Sequence, residues 1–308
     1  MFSLALLHVF CVIAQPVYFL CSPLSASPSM NYIRLAWLLI LTAPASLAGT
    51  LPALIPEPAT RQSTWGVSGE AELGYDSAHY FRGLWFSSNN AWGNLSLSIP
   101  TTGQVTFDLG AFHTQSLRTS IPGEGNLDFS ELDLSAALTY DAKFAEFGLV
   151  FTHYTFFNTY SGRIGGQSFG FEEAPDSTVT SARDLGLTLA VPFGDAVLSL
   201  GAWHDFKIDA QYFEAGLSHL LRAGERLSIA SSANIGYGLG YYSYPEIGNP
   251  ENGLTAVRLG VSVPYRLSQA FTLAPYLAAN LSLATRSDLN TTPGRNHLFG
   301  GVALTASF

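Results

Sequence analysis

The sequence predicts an all-β chain closed into a transmembrane antiparallel up-and-down barrel of about twelve strands, with short periplasmic turns and long extracellular loops. Three observations lead there. The chain is 47% hydrophobic and 12% charged, whereas soluble domains carry about a quarter charged residues. Apolar and polar side chains alternate with a period of two along most of its length, as in strands with one apolar face. Beyond its leader it lacks the roughly 18 consecutive apolar residues that a membrane helix needs.

From Met30 the sequence reads MNYIRLAWLLILTAPASLAGT, with Arg34, an apolar run from Leu35 to Leu41, and small residues at Ser46 and Ala48. That layout predicts a cleavable signal over 30–48, with Gly49 as the first mature residue. Residues 1–29 open without a positive charge and read as an upstream start-site extension. Cys11 and Cys21 both lie there, so the mature chain is expected to hold no disulfide. A Pro-rich periplasmic lead-in follows over 49–64, and the barrel occupies 65–308.

The expected strands are 65–76, 90–100, 104–113, 128–140, 144–154, 180–191, 195–205, 209–221, 226–243, 255–264, 270–285 and 297–308. In the first, Trp65, Val67, Ala71, Leu73 and Tyr75 share one face, with Ser68, Glu70 and Glu72 opposite. The third sets Val105, Phe107, Leu109 and Ala111 against Gln104, Thr106 and Asp108. TTG, DAK, PFG, RAGE and RLSQA make tight turns; 77–89, 114–127, 155–179, 244–254 and 286–296 make long connections. FKI at 206–208 is short where a long loop is due. An even strand number returns both termini to the periplasmic rim.

The last strand, NHLFGGVALTASF, ends on Phe308 with Ala306, Leu304, Val302, Gly300 and Leu298 on its apolar side. It must pair with the first, because an open edge in lipid leaves backbone groups unsatisfied. Phe308 resembles the terminal aromatic signature that the barrel-assembly machinery recognises, and is expected to act as the assembly signal. A soluble β-sandwich also alternates, but it presents its polar face outward. Here the charge-bearing face also carries the small residues that suit an interior, and the apolar face suits lipid.

On this parity Glu70, Glu72, Asp108, Glu131, Asp133, Glu146, Asp184 and Glu214 point inward, against Arg226 and Arg258. An acidic wall facing a basic one either sets a transverse field across a pore or braces the barrel by pairing. The net lumen charge is negative, which predicts weak cation selectivity. His113, His153 and His204 fall on the lipid-facing parity, where imidazoles suit an interfacial belt. Twelve-stranded phospholipase A uses a Ser–His–Asn arrangement, yet no serine here repeats its motif. No cofactor is implied, and metal-ligand spacing is absent. NPENG at 249–253 and EEAPD at 172–176 are acidic loops without a known calcium pattern.

One segment, YDSAHYFRGLWF, carries Tyr80, Phe81, Arg82 and Gly83 at the upper end of the first strand. It resembles the Y-x-F-R-G-type segment of the TorF-like porins, exported barrels largely without assigned substrates. The resemblance in architecture runs from about Gly66 to Phe308. It implies that Arg82 sits at the pore's outer rim, paired with a lumenal carboxylate; a snorkelling interfacial arginine is the other reading.

The expected function is a porin-like channel for passive diffusion of small hydrophilic solutes across the bacterial outer membrane, not an enzyme. Twelve strands imply a pore narrower than the sixteen-stranded porins, and the Gly-rich loop at 155–179 is long enough to narrow it further. A lipid-active enzyme and a barrel presenting adhesive loops are the rival readings. Partners are outer-membrane lipids, the assembly machinery and solutes, with no nucleic acid; a homo-oligomer is compatible.

Overall fold

The computed structural model describes residues 66–117, 119–121, 125–127, 129–157, 161–164, 167–170, 179–240, 252–283 and 296–308. The expected extension, signal and lead-in (1–64) lie outside them. So do the acidic stretch 172–176 and most of 249–253.

The alternating segments form twelve long strands: β1 (Ser68–Phe81), β2 (Leu84–Thr102), β3 (Val105–Ser116), β4 (Ser130–Asp141), β5 (Glu146–Phe157) and β6 (Val179–Phe193), then β7 (Ala196–Asp205), β8 (Ala210–Arg222), β9 (Ser228–Leu239), β10 (Gly253–Ser262), β11 (Phe271–Ser282) and β12 (Asn296–Ser307). Each pairs antiparallel with the next. β12 then pairs with β1 from Glu70↔Ser307 to Asp76↔Gly301, which closes the barrel. Gly69 and Phe308 exchange both backbone hydrogen bonds at 2.9 Å, so the seam continues to the last residue. The short piece Tyr265–Arg266 pairs with β11. Two small hairpins, Thr119–Ile121 with Gly125–Leu127 and Ser161–Ile164 with Gln167–Gly170, lie in the β3–β4 and β5–β6 connections. Among the described residues there is no helix.

The two faces are sorted inside-out relative to a soluble protein. Leu73 is 69% exposed and Leu187 61%; Leu138, Leu217 and Leu277 share that outer face. Asp76, Asn90, Thr114, Thr152, Asp184 and Asn280 are at most 1% exposed. Large apolar side chains outside and polar ones inside are stable where the outer solvent is hydrocarbon. Among the described residues no helix is long and apolar enough to cross a membrane; the closed twelve-strand wall, apolar outside and polar inside, is that of an outer-membrane barrel.

The ends of the barrel differ. Turns at 103–104, 142–145, 194–195, 223–227 and 263–270 share one rim with both ends of the described barrel, which is the short-turn, periplasmic rim. The connection at 206–209 is as tight as FKI suggested.

One expected loop is not a loop. Residues 77–89 continue β1 and β2 and join through a two-residue turn at Arg82–Gly83. The alternation reading stopped at Asp76 because His79, Tyr80 and Phe81 break the apolar–polar pattern. Those residues face protein rather than lipid on either side, so no alternation is required of them.

At the seam, Phe308 is half-exposed on the outer face and lays its ring over Gly69. A Cβ on Gly69 would fall 2.6 Å from the Phe308 ring and 2.9 Å from Leu97. Gly69→Ala is therefore expected to destabilise the refolded barrel by about 1–3 kcal/mol through overpacking. In a Phe308→Ala background most of that loss should vanish. Denaturant unfolding in lipid vesicles measures both; equal losses in the two backgrounds would contradict the contact.

Candidate functional site: a hairpin folded into the lumen

The β1–β12 ladder stops at Asp76↔Gly301 and the β2–β3 ladder at Asn90↔Ser116, while β1 and β2 stay paired up to Phe81↔Leu84. Residues 77–89 thus form a hairpin released from both wall neighbours. Two backbone features turn it. The register shifts between His79 and Tyr80, and such irregularities bend a strand and re-aim its side chains. Asn89 takes φ 55°, a left-handed value that asparagine tolerates better than most residues. At the tip Arg82 (φ 48°) and Gly83 (φ 80°) are both left-handed, the combination that matches the twist of a two-residue hairpin.

Each wall neighbour keeps one hydrogen bond to the base of the hairpin. The Gly300 N–H donates to Ser77 Oγ at 3.0 Å, and the Leu117 N–H donates to the Asn89 carbonyl at 2.7 Å. These two backbone groups therefore keep hydrogen bonds where the ladders end.

The hairpin crosses to the far wall. Tyr80 is fully buried against Phe299, ring centroids 5.0 Å apart. Its carbonyl accepts from Arg258 Nη2 of β10 at 3.0 Å, and the Gly83 carbonyl accepts from Asn280 of β11 at 3.5 Å. Arg82 donates to the carboxylate of Asp184 on β6, which also accepts from the Tyr154 hydroxyl at 3.0 Å. The Arg82 guanidinium stands over the rings of Phe81, Trp203 on β7 and Tyr212 on β8. On the near side His79, 2% exposed, lies 3.6 Å from the Glu131 carboxylate and beside Phe112 and Phe129.

Arg82 thus points into the lumen and pairs with a lumenal carboxylate, at the level of Asp205, the last residue of β7 and the ladder partner of Asp184. Its side chain is 7% exposed and that of Asp184 1%. A buried ion pair loses about 3–5 kcal/mol when one partner is removed, because the other charge is left uncompensated. Among the described residues, this hairpin is what reaches across the lumen. Of the 155–179 loop, Ser161–Ile164 with Gln167–Gly170 form a hairpin, and 158–160, 165–166 and 171–178 lie outside the described residues.

The inward carboxylates divide by height. Glu70, Glu72 and Asp108 lie toward the short-turn rim and are held by neutral groups. Ser307 Oγ donates to Glu70 at 3.3 Å. Thr305 donates to Glu72 at 3.0 Å and Asn94 at 3.2 Å. Ser98 and Thr139 donate to Asp108 at 2.6 and 2.8 Å. Glu146 is the first residue of β5 on the same rim. Glu131, Asp133, Asp184, Glu214 and Arg258 cluster at the level of the hairpin, and Tyr212 donates to Glu214 at 3.4 Å.

The geometry brings in residues that the alternation reading left out. Asp76 is fully buried and accepts from the Tyr276 hydroxyl; it closes the ordinary part of β1, where the alternation ends. His79 fell in the supposed loop. Asp205, buried at the top of β7, accepts from the backbone of Lys207 and Ile208. Arg226 lies elsewhere than expected: it is exposed in the β8–β9 turn, beside a cleft that it lines with Arg266, Ser268 and Gln269. It contributes no side chain to a barrel strand, because β9 begins only at Ser228.

His113, His153 and His204 sit on three separate strands with the lipid-facing parity. His113 Nδ1 lies 2.8 Å from the Glu131 carbonyl, and the His204 ring meets Phe206 edge-on at 4.9 Å. The His204 imidazole also stands 3.8 Å from the Asp209 carboxylate.

No family model and no curated protein matches the sequence. Solved structures with a similar chain trace include a COG4313 outer membrane channel from Pseudomonas putida F1, at 14% identity and a TM-score of 0.49, covering 79% of this chain and 95% of that one. The translocator domain of the autotransporter NalP from Neisseria meningitidis has 12% identity and the same score, covering 79% and 88%. KdgM porin has 8% identity and a score of 0.43, covering 78% and 99%. The likeness is one of strand trace alone.

The anchoring contacts make one expectation direct. Asp184→Ala removes the acceptor of Arg82 and should loosen the tip from the far wall. Trypsin added to whole cells should then cut after Arg82 at least tenfold faster than in the unaltered protein. Equal protection of the two would mean that the ion pair does not hold the hairpin.

Proposed function

We propose that the protein is a narrow passive channel for small hydrophilic solutes, weakly cation-selective, in which the β1–β2 hairpin governs passage. One observation carries this reading: a polar lumen is crossed by a segment anchored through side-chain and carbonyl contacts, not through the barrel ladder. Such contacts break and re-form without opening the wall, so the hairpin can withdraw while the barrel stays closed to lipid. The resemblance of Tyr80–Gly83 to the TorF-like porins belongs to the same reading, since the shared segment is the one that turns inward.

Selectivity follows from the periplasmic half. Glu70, Glu72, Asp108 and Glu146 line one mouth, with hydroxyls and an amide as hydrogen-bond partners of the first three. Neutral partners leave the negative charge uncancelled, and a low-dielectric wall focuses it. Phe308 is, on this account, the segment offered to the assembly machinery.

Reversal potentials across planar bilayers in a salt gradient test the proposal. At 0.1 M salt, where the screening length is about 10 Å, cations should be preferred; at 1 M, with a length of about 3 Å, the preference should fade. Glu70→Gln with Glu72→Gln should reduce it, because the two lie two residues apart on one face of β1. Phe308→Asp should lower the amount of barrel in cells and leave the selectivity of the assembled fraction unchanged. Anion preference at low salt, or no conductance at any voltage, would contradict the proposal.

A further inference from the structure

The tip of the hairpin lies in a more elaborate site than a brace requires. The Arg82 guanidinium carbon stands 4.7 Å from the ring centroid of Phe81, 5.5 Å from that of Trp203 and 5.2 Å from that of Tyr212. Asp184 accepts its hydrogen bond. Several ring faces around one cation, with a carboxylate beside them, are how proteins recognise organic cations, since the ring quadrupole attracts positive charge.

The cage belongs mostly to the wall. Trp203 lies over Gly186 and Gly201, where an added Cβ would fall 2.4 and 2.0 Å from the indole. Tyr212 lies over Gly236, whose Cβ would fall 2.1 Å from the Tyr212 hydroxyl. These glycines let both rings lie close against the sheet. Asp184 is held by Tyr154, and Tyr212 by Glu214. Of these described contacts of the guanidinium, Phe81 comes from the hairpin, and Trp203, Tyr212 and Asp184 from the wall.

Charge points the same way. Asp205 pairs across the ladder with Asp184, and Glu214 lies two residues from Tyr212 on β8. With Arg82 withdrawn, Asp184, Asp205 and Glu214 face Arg258 of β10, so the carboxylates still exceed that cation and the site keeps its attraction for a positive charge.

We propose that the β6–β8 cage of Asp184, Trp203 and Tyr212 is a recognition site for solutes bearing a guanidinium or alkylammonium group, and that Arg82 is its internal occupant. The proposal rests on the channel reading above and names its substrate class. A solute of this kind competes with Arg82, takes its place, and releases the hairpin from the far wall. A planar guanidinium matches both the carboxylate and the rings, whereas a hydrated sodium ion matches neither.

The test uses the full-length refolded protein with Arg82→Gly, a substitution that suits the φ of 48° at this position. Calorimetric titration with millimolar guanidinium chloride should show saturable binding at least tenfold tighter than to the unaltered protein, in which Arg82 fills the cage. Sodium chloride should show none. Adding Asp184→Asn should abolish the binding, and adding Trp203→Leu should weaken it about tenfold, as expected for one desolvated cation–ring contact. If Arg82→Gly does not refold, the bi-ionic reversal potential of the unaltered channel decides: guanidinium should permeate several-fold better than sodium. Equal binding with and without Arg82, or equal permeability, would overturn the proposal. Saturable binding in a barrel that never conducts would support the site and remove the channel reading; a conducting barrel that binds no guanidinium would do the reverse.

Discussion

A strand in hydrocarbon must have a hydrogen-bonded neighbour on each side, because water cannot take the place of a missing one. The rest of this molecule follows from that requirement. It forces β12 back onto β1, and the pairing of Gly69 with Phe308 carries the seam to the final residue. A closed wall has an inside, and the alternation of side chains makes that inside polar when the outside is apolar. The same requirement decides where the hairpin can depart: it leaves where Ser77 and Asn89 take over the hydrogen bonds of Gly300 and Leu117.

A polar interior without water-like freedom must then satisfy its own charges. The lower half does so with hydroxyls and an amide around Glu70, Glu72 and Asp108. The upper half brings in a cation from the opposite wall, on the tip of β1–β2. Arg82 ties the hairpin to Asp184, and Arg258 ties the Tyr80 carbonyl to β10. On the proposed function, structure and transport are coupled at one place, since the contacts that satisfy buried carboxylates are those that a passing solute would disturb.

The barrel was legible in the sequence because lipid imposes a period of two on every strand it touches. Leu73, Leu109, Leu138 and Leu187 announce the outer face, and Glu70, Asp108 and Asp184 the inner one. The hairpin was not legible for the same reason. His79, Tyr80 and Phe81 have protein on both sides, so nothing enforces alternation there, and a strand read by alternation ends too early. Arg82 stood out through its local motif, but its depth depends on the register break at His79/Tyr80 and on the φ of Asn89. Neither leaves a distinctive residue pattern, although Asn89 and the Arg82–Gly83 pair were available as turn signals. Arg226 misled because parity continues through a turn on paper and not in space.

On the proposed function, passage requires the hairpin to leave the far wall. A Cβ on Gly83 would lie 2.7 Å from the Cβ of Ala256, and a disulfide sets that distance at about 3.5–4.5 Å. Gly83→Cys with Ala256→Cys can therefore bridge after a small adjustment of the tip. With Cys11 and Cys21 both upstream of the expected cleavage site, the mature chain should carry no competing thiol. Single-channel conductance of this double variant should fall at least tenfold when it is oxidised and recover when dithiothreitol is added. The same conductance in both redox states would mean that solutes pass with the hairpin in place, and would contradict the account.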